Sequence, residues 1–121
     1  MEVILDTNFI ISCIIKKIDF ISQLEEQGFR VVVPKEVMQE MKDLKLKKTS
    51  HEERTAINAA FEIIEKRKVK KMSVGKKGKV DDMLIKKGQE GFYIATLDSG
   101  IKNKVPNKVV ILNSKASVGI G

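Results

Sequence analysis

Apolar residues arrive along this chain in two rhythms. In short runs nearly every position is apolar: "EVIL" at 2–5, "RVVV" at 30–33, "FYIATL" at 92–97 and "VVIL" at 109–112. Between them lie longer stretches in which apolar residues return every three or four positions. Continuous apolar and β-branched runs predict strands buried on both faces. The helical spacing predicts helices with one buried stripe. Their alternation predicts an α/β fold around a parallel sheet covered on both sides.

The helical stretches carry their own punctuation. "NFIISCIIKKI" follows the first strand directly. "DFISQLEEQGF" places Phe20, Ile21 and Leu24 on one face, with Asp19 as its N-cap and Gly28 as its stop. Pro34 closes "RVVV" and suits the first turn of "KEVMQEMKDLKL", whose inner stripe is Val37, Met38, Met41 and Leu44. Ser50 and Glu53 form a capping box ahead of "HEERTAINAAFEIIEKRK". "VKKMSV" is a short strand, "GKKGK" a basic loop, "VDDMLIKKGQEG" a helix and "SGIKNKVPNK" a turn or single helical turn. The last residues, "NSKASVGIG", are expected to fray, with 115–121 as a flexible tail of the single domain spanning 1–121.

Composition narrows the class. Apolar residues make up 42% and charged residues 32%, which suits a globular and not a disordered chain. No apolar run is long enough for a membrane span, and the N-terminus lacks signal-peptide features, so a cytoplasmic protein is expected. The single cysteine, Cys13, excludes an internal disulfide and a multi-cysteine zinc site; within "FIISCII" it reads as a buried small hydrophobe. The net charge of +7 favours a polyanionic partner, nucleic acid first, although a lysine-rich solvated surface gives the same sum.

One break in the pattern demands a reason. Asp6, Thr7 and Asn8 interrupt an apolar stretch from Val3 to Ile15, and burying an unpaired carboxylate is costly. Asp6 follows the first strand and Asp98 follows "FYIATL", so both stand at the carboxyl edge of the sheet, where α/β proteins bind ligands. Asp81 and Asp82 open a helix, and Glu40 interrupts an apolar stripe. Each acid singly has a structural explanation, as a helix cap or a solvated helix residue. Together, converging carboxylates repel unless a cation joins them, and hard oxygen ligands suit Mg²⁺ or Mn²⁺. A cation so held activates water against a phosphodiester, which makes a nuclease the reading of an acidic cleft in a basic protein.

The motifs "VILDTNFII", "VPKEVMQEMKDL", "VDDMLI" and "YIATLDSGIKNKV" resemble, in order and spacing, those of PIN-domain ribonucleases. Within that family the chain is similar to archaeal stand-alone PIN proteins and to the eukaryotic nucleases of small-subunit ribosomal RNA processing. The resemblance implies a three-layer α/β/α sandwich on a central parallel sheet, and Mg²⁺- or Mn²⁺-dependent cleavage of single-stranded RNA. It implies Asp6, Glu40, Asp81 and Asp98 as the catalytic, metal-holding acids. Asp81 is favoured over Asp82 for the third position, with Asp82 kept as a metal-ligand candidate. It also implies Thr7, Asn8 and Thr96 as residues that orient Asp6. The one long helix between Glu40 and Asp81 argues against a toxin of a toxin–antitoxin pair.

Lysines gather in "KDLKLKK", "EKRKVKK", "GKKGK" and "IKKG". On a nuclease, Lys76, Lys77 and Lys79, just before Asp81, are the preferred contacts to RNA phosphates, on single strands or structured RNA. Their loop is not a P-loop, because no Ser or Thr follows the lysines. His51, the single histidine, reads as a surface residue. The expected function is thus a metal-dependent endoribonuclease, with ribosomal RNA processing as its setting. The alternatives are a toxin with an antitoxin partner and a non-catalytic RNA-binding scaffold. A homodimer and a ribosome-assembly partner are further expectations carried by the family.

Overall fold

Val3 and Leu5 face one side of the first strand and Ile4 the other, and all three are fully buried. Val31 and Val33 repeat this alternation against Val32 in the second strand, and Ala95 against Ile94 in the fourth. Each strand therefore contributes to two apolar layers, which only a sheet covered on both faces allows. The computed structural model describes residues 1–47, 49–74, 80–112 and 116–121.

The elements run β1 (Glu2–Leu5), α1 (Thr7–Ile15), α2 (Phe20–Glu26), β2 (Arg30–Pro34), α3 (Lys35–Leu46), α4 (His51–Lys66), β3 (Lys70–Met72), α5 (Val80–Gln89), β4 (Tyr93–Ala95), α6 (Ser99–Lys102), β5 (Lys108–Leu112) and β6 (Ser117–Ile120). They form a six-stranded sheet in the order β3-β2-β1-β4-β5-β6. The first five strands are parallel and β6 is antiparallel to β5. Apolar residues of α1, α2, α3 and α4 join one core with Val3, Leu5, Val31 and Val33. Leu84 of α5 and Ile101 of α6 join the other with Ile4, Val32 and Ile94. The result is the three-layer α/β/α arrangement expected from the sequence.

Local signals act as read. Asp19 accepts the Ser22 N–H at 3.2 Å at the start of α2, and the Ser50 hydroxyl oxygen accepts the Glu53 N–H at 3.1 Å at the start of α4. Gly28, at φ +92°, ends α2 in the left-handed region that disfavours other residues. Cys13 is fully buried in the core, and burial pushes its thiol up to about 12.

The tail departs from expectation. Ser117–Ile120 form β6, paired with β5 from Val109↔Ile120 to Leu112↔Ser117. The Gln27 side chain donates to the Val118 carbonyl at 2.9 Å, and the Gln23 carbonyl oxygen accepts the Val118 N–H at 2.9 Å. Val118 itself is buried. Backbone pairing and two long-range contacts hold a segment whose composition alone promised little.

Strand order fixes where ligands have access. From β1 the chain moves outward through β2 and β3, then returns to the other side of β1 with β4. The connections after β1 and β4 therefore leave in opposite directions and open a crevice at the carboxyl ends of these two strands.

Candidate active site

Asp6 stands at that crevice as the first residue after β1 and the N-cap of α1. Its backbone is extended, at φ −86° and ψ 158°, and its Oδ1 accepts the Thr7 N–H at 2.8 Å. Its own N–H donates to the Ala95 carbonyl at 2.9 Å, continuing the β1–β4 ladder by one step. Because Leu5 pairs with Ala95, the next residue of β4's extension, Thr96, lies beside Asp6. The Thr96 hydroxyl donates to Asp6 Oδ2 at 2.9 Å. Both carboxylate oxygens are thus held by fixed donors, and Asp6 is 7% exposed.

Thr96 also links Asp6 to the fourth acid of the sequence motif. Its hydroxyl oxygen accepts the Asp98 N–H at 3.1 Å. The Asp98 side chain is exposed, and its Oδ1 accepts the N–H groups of Gly100 at 2.7 Å and Ile101 at 3.3 Å. Asp98 therefore caps α6, the structural role open to any aspartate that follows a strand.

Burial is the largest influence on the Asp6 carboxyl and pushes it above its ordinary value of 3.8. The hydrogen bonds from Thr96 and Thr7 pull it back, and the charges of Glu40 and Asp81 push it up further. Those two acids come from different elements. Glu40 is half-buried on α3, between the buried Val37 and Met41, and Asp81 is exposed in the first turn of α5. Asp82 is its exposed neighbour on α5. Glu40 and Asp81 thus stand near enough for their charge to act on Asp6. Among the described residues, no group of three or more His, Cys, Asp or Glu side chains is drawn together closely enough to bind one ion.

Of the residues expected to orient Asp6, Thr96 does so through its side chain and Thr7 through its backbone N–H. Asn8 is exposed in the first turn of α1. The Thr7 hydroxyl is fully buried and finds no hydrogen-bond partner among the described residues. Lys76, Lys77 and Lys79 lie outside the described residues. His51 is exposed at the start of α4.

One acid passed over in the sequence takes part in a long-range contact. Glu36, in the first turn of α3, accepts the Ser73 hydroxyl on Oε2 at 2.8 Å and the Val74 N–H on Oε1 at 3.1 Å. In the sequence it reads as an ordinary acid in a helix's first turn, and nothing local marks its partners.

Comparison with known proteins places this arrangement. Residues 3–114 match the family described as a PIN like domain, and the chain belongs to that family. Among solved structures it is similar to the PIN domain endonuclease Utp24, with a TM-score of 0.73 and 21% sequence identity. That alignment covers 98% of this chain and 90% of the other. At this identity the likeness is one of fold. A comparison with curated proteins found no match.

Proposed function

We propose that this chain is a metal-dependent endoribonuclease that hydrolyses single-stranded RNA at the carboxyl edge of β1 and β4. The observation that carries the reading is Asp6. It is a buried carboxylate at the topological switch point, gripped on both oxygens and facing the negative charges of Glu40 and Asp81. Burial and like charges both oppose its ionisation, and a cation bound there would offset both.

The residues fit a hard divalent cation by donor chemistry. Asp6, Glu40 and Asp81 are oxygen donors, the buried Thr7 hydroxyl has no hydrogen-bond partner among the described residues, and Mg²⁺ needs only one or two carboxylates when water completes its shell. Asp6 would hold the ion with water completing the shell, and Glu40 and Asp81 would add their charge to it, while Asp98 and Asp82 are exposed on the cap of α6 and on α5. Bound Mg²⁺ or Mn²⁺ supplies Lewis-acid charge and acidifies water. Thr96 and Thr7 keep Asp6 in one orientation, so little reorganisation is needed when the substrate arrives. The net charge of +7 favours a polyanionic substrate over a small neutral one. Ribosomal RNA processing is the biological setting that the motif resemblance supports.

The test is cleavage of single-stranded RNA by purified protein in EDTA, Mg²⁺ or Mn²⁺, with Asp6→Asn alongside. Metal-dependent cleavage that disappears in the variant is expected. Wild type and variant that both bind RNA, with neither cutting nor taking up metal, would instead support a binding scaffold.

A further inference from the structure

From the Glu36 contact we infer that this residue is a positioning residue for the acidic site. Its carboxylate clamps Ser73–Val74 and thereby seats the start of α5, where Asp81 stands, against α3, where Glu40 stands. The inference rests on the nuclease reading for its functional consequence, but not for its geometry.

The sheet register brings the partners together. β2 and β3 are parallel, and Pro34 lies opposite Met72. Glu36 follows Pro34 by two residues, and Ser73 and Val74 follow Met72, so all three emerge at the same sheet edge as Asp6. Both Glu36 oxygens are engaged there, one by a hydroxyl and one by a backbone N–H, across 37 and 38 residues of sequence. A carboxylate bonded in this way acts as an anchor for backbone, not as a ligand presented to solvent.

The segment it anchors joins an edge strand to the apolar layer under α5. β3 is a three-residue strand with exposed Lys70 and Lys71, at the edge of the sheet among the described residues. Short edge strands fray readily. Beyond it, Val74 is buried in the apolar layer that also contains Leu84 of α5, and Val80 and Met83 pack against that layer. Val74 and the first turns of α5 therefore share one seat. Releasing Val74 from Glu36 loosens this seat, and Asp81 moves with it relative to Asp6 and Glu40.

The experiment compares wild type with Glu36→Ala, Glu36→Gln and Ser73→Ala. The readouts are hydrogen–deuterium exchange, Mn²⁺ titration, and kcat and KM on single-stranded RNA. Glu36→Ala is expected to speed exchange of residues 73–74 and 80–84 about tenfold or more while α1 and α4 keep wild-type protection. Mn²⁺ affinity and kcat are expected to fall roughly 10- to 100-fold, the effect typical of groups that orient ligands, with KM little changed. Glu36→Gln keeps one acceptor and is expected to recover part of each loss, and Ser73→Ala to show a smaller one. Wild-type exchange of residues 73–74 and 80–84 in Glu36→Ala overturns the clamp. Faster exchange with wild-type Mn²⁺ affinity and kcat overturns its role toward the site. If wild type neither cuts RNA nor binds Mn²⁺, yet Glu36→Ala still loosens residues 73–74 and 80–84, the nuclease reading fails and Glu36 stands as a residue that seats the first turns of α5.

Discussion

The hydroxyl of Thr96 donates to the carboxylate of Asp6 at 2.9 Å, joining residues 90 positions apart at the ends of two neighbouring strands. The contact is buried, and the same hydroxyl oxygen accepts the Asp98 N–H. One threonine thus fixes the side chain of the first motif acid and the backbone of the last. Replacement by valine keeps the shape and removes the hydrogen bond. Thr96→Val is expected to lower Mn²⁺ affinity and RNA cleavage roughly 10- to 100-fold, while unfolding free energy in urea changes by only about 1–3 kcal/mol. Equal loss in Thr96→Val and an unrelated surface variant would sink the assignment.

Asp6 carries a cost that its variant should relieve. The folded state holds the Asp6 proton more tightly than the unfolded chain, mainly through burial. Stability from this group is therefore present at low pH. It falls as pH rises from near 3.8 through Asp6's own titration in the folded protein. Asp6→Asn does not ionise and escapes that fall. In metal-free buffer its urea midpoint is expected to exceed wild type at about pH 8 and to approach it near pH 4. Excess Mn²⁺ should reverse the order at the higher pH, because only wild type gains binding energy.

The two adjacent aspartates of α5 should separate in function. Asp81 is one of the charges that push the Asp6 carboxyl upward, alongside Glu40. Asp81→Asn should therefore lower the Asp6 pKa, read by carboxyl-carbon NMR titration, and weaken Mn²⁺ binding by about tenfold or more. Asp82→Asn should leave the Asp6 titration in place. Identical shifts in the two variants would mean that α5 presents both acids equally.

Gly88 tests the packing of α5 independently of the site. It is buried, and a Cβ there would lie 2.8 Å from Val105 Cβ and 3.1 Å from Ile94 Cγ1. Helix propensity alone would make Gly88→Ala stabilising by about 1 kcal/mol. Overpacking against a strand and a buried valine typically costs about 1–3 kcal/mol, so the expected net effect is destabilisation. Chemical unfolding with urea reads the sign directly.

Much of this molecule is legible in the amino-acid order because the determining interactions are local. The continuous apolar runs of "EVIL" and "RVVV" dictate strands buried on both faces, and Asp19, Ser50 and Gly28 mark helix ends through bonds or backbone angles within a few residues. The position of Asp6 after β1 was legible for the same reason. What the sequence left open depends on register between distant segments. Only the pairing of Leu5 with Ala95 puts Thr96 on the Asp6 carboxylate. Only the pairing of Pro34 with Met72 brings Glu36 to Val74. Only pairing with β5 and the side chains of Gln23 and Gln27 turn a polar tail into β6. Periodicity and capping report what a residue does with its near neighbours. Which carboxylates share one field is decided by strand order, because charge acts through space and the sequence does not record distance.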